Sequence, residues 1–203
     1  MESLNFADET NIGFYTVKTV NYPLLDGTLT ELKHNTQKLS FVLNNYIFLK
    51  NVDLPNIEVV PTGTFSGCSG LVSVNIPKAA LINENAFENC SSLETINMQN
   101  AKTLDAFAFQ GCDSLTTIDL LAPDHIGYYT FNGCSSLHTL IVRNQKKICT
   151  CAGYTTFFNT PIEKGEGYIY VPLALLDSYK AEMSWSDLAN QFRAIEDYPE
   201  ICG

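Results

Sequence analysis

"AFENCSSLETIN", residues 86–97, has near copies on both sides: "TFSGCSGLVSVN" (64–75), "AFQGCDSLTTID" (108–119) and "TFNGCSSLHTLI" (130–141). Cys68, Cys90, Cys112 and Cys134 stand 22 residues apart. Phe65, Phe87, Phe109 and Phe131 keep the same step, and so do Leu71, Leu93, Leu115 and Leu137. Val74, Ile96, Ile118 and Leu140 form a further column, followed by Ile76, Met98, Leu120 and Val142, and by Ile82, Leu104, Ile126 and Ile148. No acid or base holds a fixed place in the phrase. What is held fixed is apolar, so the repetition serves packing.

A constant period of about 20–30 residues with fixed apolar columns marks a solenoid. One unit cannot bury its own apolar side, whereas stacked units bury each other's. Each phrase ends in an inward–outward–inward alternation, which is strand periodicity. Such strands lie parallel, about 4.8 Å apart. "AFENC" and its relatives predict one helical turn or a short helix, with the Phe filling the space between layers. Upstream the register continues weakly through Leu43, Tyr46, Leu49, Val52, Leu54 and Val60. Downstream, after an insertion of four residues, Phe158 begins a last shifted copy, "FFNTPI", in which Pro161 takes the cysteine place as Tyr46 does in the first.

"AFENCSSLETINM" and its copies resemble the BspA-like leucine-rich repeats, often summarised as "AFxxCxxLxxIxI", over residues 43–163. The resemblance implies a leucine-rich-repeat solenoid of α/β repeats. It is right-handed, with a parallel sheet on one face, short helical turns on the other, and a cap at each end. It also implies a protein that binds other molecules rather than catalyses, of the kind found on bacterial surfaces, among secreted parasite proteins and in phages and mobile elements. The ending from Gly167, "GYIYVPLALLDSYKAEMSWSDLANQF", is similar to the family's closing "IYVP…L…SYK…W". Physically, "YIYV" reads as a final strand stopped by Pro172, which cannot donate to a ladder. Leu175, Leu176, Tyr179, Met183 and Trp185 then make a helical apolar stripe, and Ser184 with Asp187 starts another short helix by capping. Residues 164–203 are thus a C-terminal cap. Residues 1–42 read as the opposite cap or a small β module, with short strands in "GFYTVKTV" and "GTLTEL" joined by "PLLDG".

The 203 residues allow one sizeable domain or two small ones, and a 45% hydrophobic content can fill a core. Charged residues make up 17%, against about 25% for an ordinary globular protein, so uncharged polar groups must cover much of the outside. Lys plus Arg number 12 against 22 Asp plus Glu, a net charge of −10. No basic run exceeds Lys146–Lys147, which argues against a phosphate-tracking groove and direct nucleic-acid binding. No stretch approaches the length of a membrane span. The start lacks a cationic segment followed by an apolar run, so a cytoplasmic or virion-associated protein is expected rather than a secreted one.

The cysteine column can pack as small hydrophobes or pair as disulfides, since stacked neighbours fall within bridging distance. Cys149 and Cys151 form one short pair where a zinc site wants two, so no metal or other cofactor is implied. His34, His125 and His138 build no catalytic arrangement from their spacing, and the reading is of a non-enzyme.

Binding, if any, falls on columns that point outward. One runs Asn51, Ser73, Thr95, Thr117, Thr139; the next runs Asp53, Asn75, Asn97, Asp119, Ile141. They form a solvated sheet or a docking ladder. Tyr128, Tyr129, Tyr154 and Phe157 are candidate aromatic anchors, or packing between array and cap. The function expected is a protein–protein or protein–glycan interaction module, adhesin-like or carried by a phage or mobile element. Two alternatives stay open: a small acidic intracellular inhibitor that occludes a basic partner, such as a host defence nuclease, and a structural stalk.

Overall fold

A computed structural model describes residues 3–5, 31–33, 37–39 and 42–202. The strand expected in "GFYTVKTV", the turn "PLLDG" and His34 lie outside the described residues.

Each coil has three sides. The first is a strand of three or four residues: β1 (Ser3–Asn5), β2 (Glu31–Lys33), β3 (Asn51–Asp53), β5 (Ser73–Asn75), β7 (Thr95–Asn97), β9 (Thr117–Leu120), β11 (Thr139–Val142), β13 (Tyr168–Val171) and β14 (Phe192–Ala194). The second is a strand of two residues: β4 (Val59–Val60), β6 (Leu81–Ile82), β8 (Thr103–Leu104), β10 (His125–Ile126) and β12 (Thr150–Cys151). All pairings are parallel, with Asn51 beside Ser73 beside Thr95, and Thr117 beside Thr139 beside Tyr168. The short strands form one continuous ladder, whereas the long strands divide into two sheets, β1-β2-β3-β5-β7 and β9-β11-β13-β14.

The third side, expected to be helical, is a chain of tight turns. The N–H groups of Thr64, Ser66 and Cys68 bond back to the carbonyls of Pro61, Gly63 and Phe65. Those of Gly63, Phe65 and Gly67 donate sideways to Glu84, Ala86 and Glu88 of the next coil. Because alternate donors leave the coil, no α-helix can propagate there. The first and last of these turns hold a left-handed residue at their third place. The place before the column cysteine, or before Tyr46 that stands for it in the first coil, holds Gly or Asn: Asn45, Gly67, Asn89, Gly111 and Gly133, with φ of 60, 73, 57, 69 and 75°. The earlier turn uses Gly63 and Asn85, then Phe107 and Tyr129, at φ 63, 56, 59 and 53°. For a bulky residue that conformation costs about 1–2 kcal/mol.

Inside, Phe65, Phe87, Phe109, Phe131 and Phe157 form one buried stack with centroid separations of 5.2, 5.3, 5.7 and 5.6 Å. Phe157, not Phe158, is therefore the last member of the column, and Thr160 rather than Pro161 takes the cysteine place, its N–H on the Phe157 carbonyl. The sequence register is one residue off at this shifted copy, and the column Ile82, Leu104, Ile126 continues at Cys151 rather than Ile148, because the insertion hides the frame.

All four column cysteines are buried free thiols. The Phe65 carbonyl, sealed from water, accepts from the Cys68 N–H and from Cys90 Sγ at 3.1 Å. Phe87 and Phe109 serve Cys112 and Cys134 likewise, at 3.2 and 3.1 Å. The thiol is thus a small core side chain that also satisfies a carbonyl lone pair.

At the C-terminal end Trp185 continues the stack at 6.0 Å from Phe157. Its Nε1 donates to the Cys149 carbonyl at 2.7 Å, while the Tyr179 hydroxyl accepts from the Cys149 N–H at 2.8 Å. Tyr179 lies on α1 (Leu176–Ala181), Trp185 in the 3₁₀ segment Met183–Gln191, and α2 (Pro199–Cys202) ends the described chain. Three details differ from the sequence reading. Met183 is 86% exposed and belongs to no stripe. Glu182, not Ser184, stands at the cap of the 3₁₀ segment, with no side-chain bond. And β13 is not the last strand, since β14 adds another beyond it.

Two outcomes are expected. Phe109→Ala opens a gap between two rings and lowers the unfolding free energy by about 3–5 kcal/mol, readable by denaturation at Trp185, the single tryptophan. Burial pushes the Cys68 thiol up to about 11, and Cys90 and Cys112 well above the ordinary 9.0. Unfolded thiols then lose protons at a pH where the folded column keeps them. The stabilisation is whole below the unfolded value and is lost as pH rises through the folded one. The urea midpoint should fall between about pH 8 and about pH 10, and fall less in Cys90→Ser.

Candidate functional site

The long-strand side presents its outward positions to solvent at one coil per step. Asn51, Thr95, Asn97 and Thr117 are exposed; Asp53, Ser73, Asn75, Asp119 and Thr139 are half-buried. The strand alternation puts Val52, Val74, Ile118 and Leu140 beneath them in the core.

These side chains bond to one another along the solenoid. Ser73 Oγ donates to Asn51 Oδ1 at 2.7 Å. Asn75 Nδ2 donates to Asp53 Oδ1 at 2.7 Å, and Asn97 Nδ2 to Asn75 Oδ1 at 2.8 Å. The amide ladder stops there. The next residue of the column is Asp119, a carboxylate with no N–H to donate, and it binds Arg143, with Nε–Oδ1 and Nη2–Oδ2 both 2.9 Å. The switch from amide to carboxylate coincides with the division between the two long-strand sheets.

Ile141, read from its column as an outward ladder member, is 5% exposed. The chain after β14 folds over it: Ile141 packs with Tyr170 and Ile195 in a small cluster that Tyr198 and Ile201 complete. Tyr170 and Tyr198 meet edge to face at 5.0 Å, and burial raises the Tyr170 phenol. The usable face therefore runs from Asn51 to Thr139 and ends at a rim.

That rim carries residues the sequence reading missed. Tyr168 continues the Asn51–Thr139 column and is 38% exposed. Arg193 lies over its ring, Cζ 4.2 Å from the centroid. The guanidinium is held from behind, its Nη1 donating to the Asn190 and Phe192 carbonyls at 2.9 and 2.8 Å. Alternation within "YIYV" already places both tyrosines on the outward side. Arg193 left no signal, because nothing announced β14.

Of the other candidates, Tyr128 and Tyr154 are exposed and Tyr129 is half-buried, all on the third side rather than on the strand face. Phe157 is buried in the stack, so it is no anchor; its neighbour Phe158 is the exposed ring, at 41%. Cys149 and Cys151 are buried free thiols, raised by burial. His125 Nδ1 pairs with Thr150 Oγ1 and His138 Nδ1 with the Ser136 carbonyl, on different sides of the coil. Among the described residues no three His, Cys, Asp or Glu side chains gather as a metal site. No helix among them is long and apolar enough to cross a membrane.

Parallel strands stacked coil on coil, with turns opposite and a core of repeated columns, define a leucine-rich-repeat solenoid, a scaffold of the kind that typically serves protein–protein interaction. The model of the BspA type leucine rich repeat region matches in six copies over residues 37–161, and the chain belongs to that family. Among solved structures it is similar to the leucine rich repeat protein of T. pallidum (TpLRR), with 25% identity and a TM-score of 0.52 over 62% of this chain and 59% of that one. It is also similar to a leucine-rich repeat protein from Bacteroides ovatus, with 19% identity and a TM-score of 0.49 over 83% of this chain and 55% of the other. The chain thus spans less than two thirds of either. No curated protein matches it.

Asn75 makes both ladder bonds at once, so Asn75→Ala removes two. With water able to replace them in part, the loss of stability is expected at about 0.5–1.5 kcal/mol, measured by thermal denaturation. A loss as large as that from a core position would contradict the ladder's surface character.

Proposed function

We propose that the chain docks a partner protein across its long-strand face, as an adhesin-like or phage-associated surface component does. The observation that carries this is the run of small outward side chains leading to Tyr168 with Arg193 clamped over it. Tyrosine and arginine are the residue types that dominate protein interfaces, and here both are pre-positioned by the fold. A protein partner is favoured over a glycan because the ladder amides already spend one N–H each on a neighbour. The similarity to a leucine rich repeat protein of T. pallidum supports a bacterial setting.

The face is balanced in charge: Lys33, Lys50, Arg143 and Arg193 stand against Glu31, Asp53, Glu94 and Asp119. It is therefore a poor means of occluding a basic partner, and the inhibitor alternative has to find its surface elsewhere on the molecule.

The test is binding of labelled protein to a panel of intact cells, with and without prior protease treatment. Thr95→Arg with Thr117→Arg should abolish binding at unchanged Tm. Arg193→Ala should weaken it by about tenfold or more, as a hot-spot residue does. Binding that survives protease, or ignores both variants, would refute the reading.

A further inference from the structure

The side opposite in chemistry to the strand face is the chain of turns, residues 61–68, 83–90, 105–112, 127–134 and 153–160. Those five segments contain Glu84, Glu88 and Asp105 and not one Lys, Arg or His. Lateral bonds fix their register: the Phe107 N–H reaches the Tyr128 carbonyl, Phe131 reaches Thr156, and Gly133 reaches Phe158. Three outward columns follow. One reads Thr62, Glu84, Ala106, Tyr128, Tyr154; the next Gly63, Asn85, Phe107, Tyr129, Thr155; the third Ser66, Glu88, Gln110, Asn132, Phe158. Small and acidic residues fill the early coils, and aromatic rings fill the late ones. Tyr128 is 62% exposed, Tyr154 50% and Phe158 41%.

The middle column breaks a local rule. Gly63 and Asn85 hold the left-handed place comfortably, but Phe107 and Tyr129 hold it at φ 59 and 53°. Their rings stack at 5.4 Å and 3° between planes. Just before Tyr128 and Tyr129, the close approach of the two coils requires Gly127, where a Cβ would come within 2.8 Å of the Ala106 nitrogen. The core does not need these rings, since Phe109 and Phe131 already fill it and both extra rings stay half-buried. The two rings pack on each other, yet bulky residues in left-handed places on a half-exposed side point to use by a ligand.

We infer that this aromatic, cation-free side is a second docking surface, and that its occupant is an arginine-bearing segment of a protein partner. Guanidinium groups lie on exposed tyrosine and phenylalanine faces, and Asp105 on the adjoining coil, with Glu84 and Glu88 one coil further, supplies complementary charge. The chain's net charge of −10 adds long-range attraction for such a partner. A partner of neutral or acidic character would gain nothing from the carboxylates.

The experiment uses the full chain and a fluorescent peptide of alternating glycine and arginine, followed by anisotropy at about 150 mM salt, where generic attraction is largely screened. A lysine analogue is the comparison. The expected result is binding of the arginine peptide, weaker binding of the lysine one, and a loss of about tenfold or more in Tyr128→Ser with Tyr154→Ser, which leaves net charge untouched. Phe48→Ser, an exposed ring on the first coil, should change nothing. Phe107→Asn with Tyr129→Asn should raise the thermal midpoint and weaken the peptide together, which a merely structural role does not predict. Absence of arginine-peptide binding, or binding equal for lysine, or binding indifferent to Tyr128 and Tyr154, overturns the inference. Because no residue of the strand face enters, failure here is separate from failure of the proposal above.

Discussion

A phenylalanine ring has two faces, and in this molecule both are covered by the rings of neighbouring coils. Phe87 lies 5.2 Å from Phe65 and 5.3 Å from Phe109, and none of the three is exposed. A single coil has no second layer of its own, so its ring would face water. The fold is consequently cooperative along its axis, and an end without a lid leaves an apolar ring open to solvent. Trp185 supplies that lid over Phe157, and the two polar clamps on Cys149 hold it in place.

Backbone polar groups follow the same logic of mutual coverage. In the turns, half of the amide protons serve their own coil and half serve the next one, so the register is fixed as firmly by hydrogen bonds as by packing. The Phe carbonyls at 65, 87 and 109 each have two donors, an amide and the thiol of the next coil. This is why a residue with a weak donor and a small volume recurs there, and why oxidised pairs are not found: the sulfur is already engaged and sealed. The insertion after Arg143 interrupts the period without breaking it. The extra chain carries Cys149, the point at which the cap is fastened.

Much of the fold was readable from the residues, since a period with fixed apolar columns has one efficient solution. What resisted reading lies where the period fails. The shifted copy was placed one residue late, and that single step exchanged the buried Phe157 with the exposed Phe158 among the candidate anchors. Ile141 sits in a polar column and was assigned outward; only the chain beyond β14 decides that it is covered. β14 is three residues long and has no partner copy in the repeat, so Arg193 and its place over Tyr168 were invisible. The turn geometry was half visible. Gly or Asn before every column cysteine marks a left-handed place, but aromatic residues at the equivalent earlier place conceal it.

In such a molecule the inner columns are set by neighbours, and only outward columns are free to drift. Drift on an exposed strand face yields small polar residues, as from Asn51 to Thr139. It does not yield Phe107 and Tyr129, because the left-handed backbone opposes them at each step. Nor does solubility ask for bare rings at Tyr128, Tyr154 and Phe158 on the one side that has carboxylates and no cation. The strand face has matched charges and a pre-set Tyr–Arg rim. The turn side has strain, rings and unbalanced acid. On the two proposals made above, surfaces of such different chemistry on one scaffold would hold two unlike partners at a fixed separation, which a flexible chain of the same length cannot do.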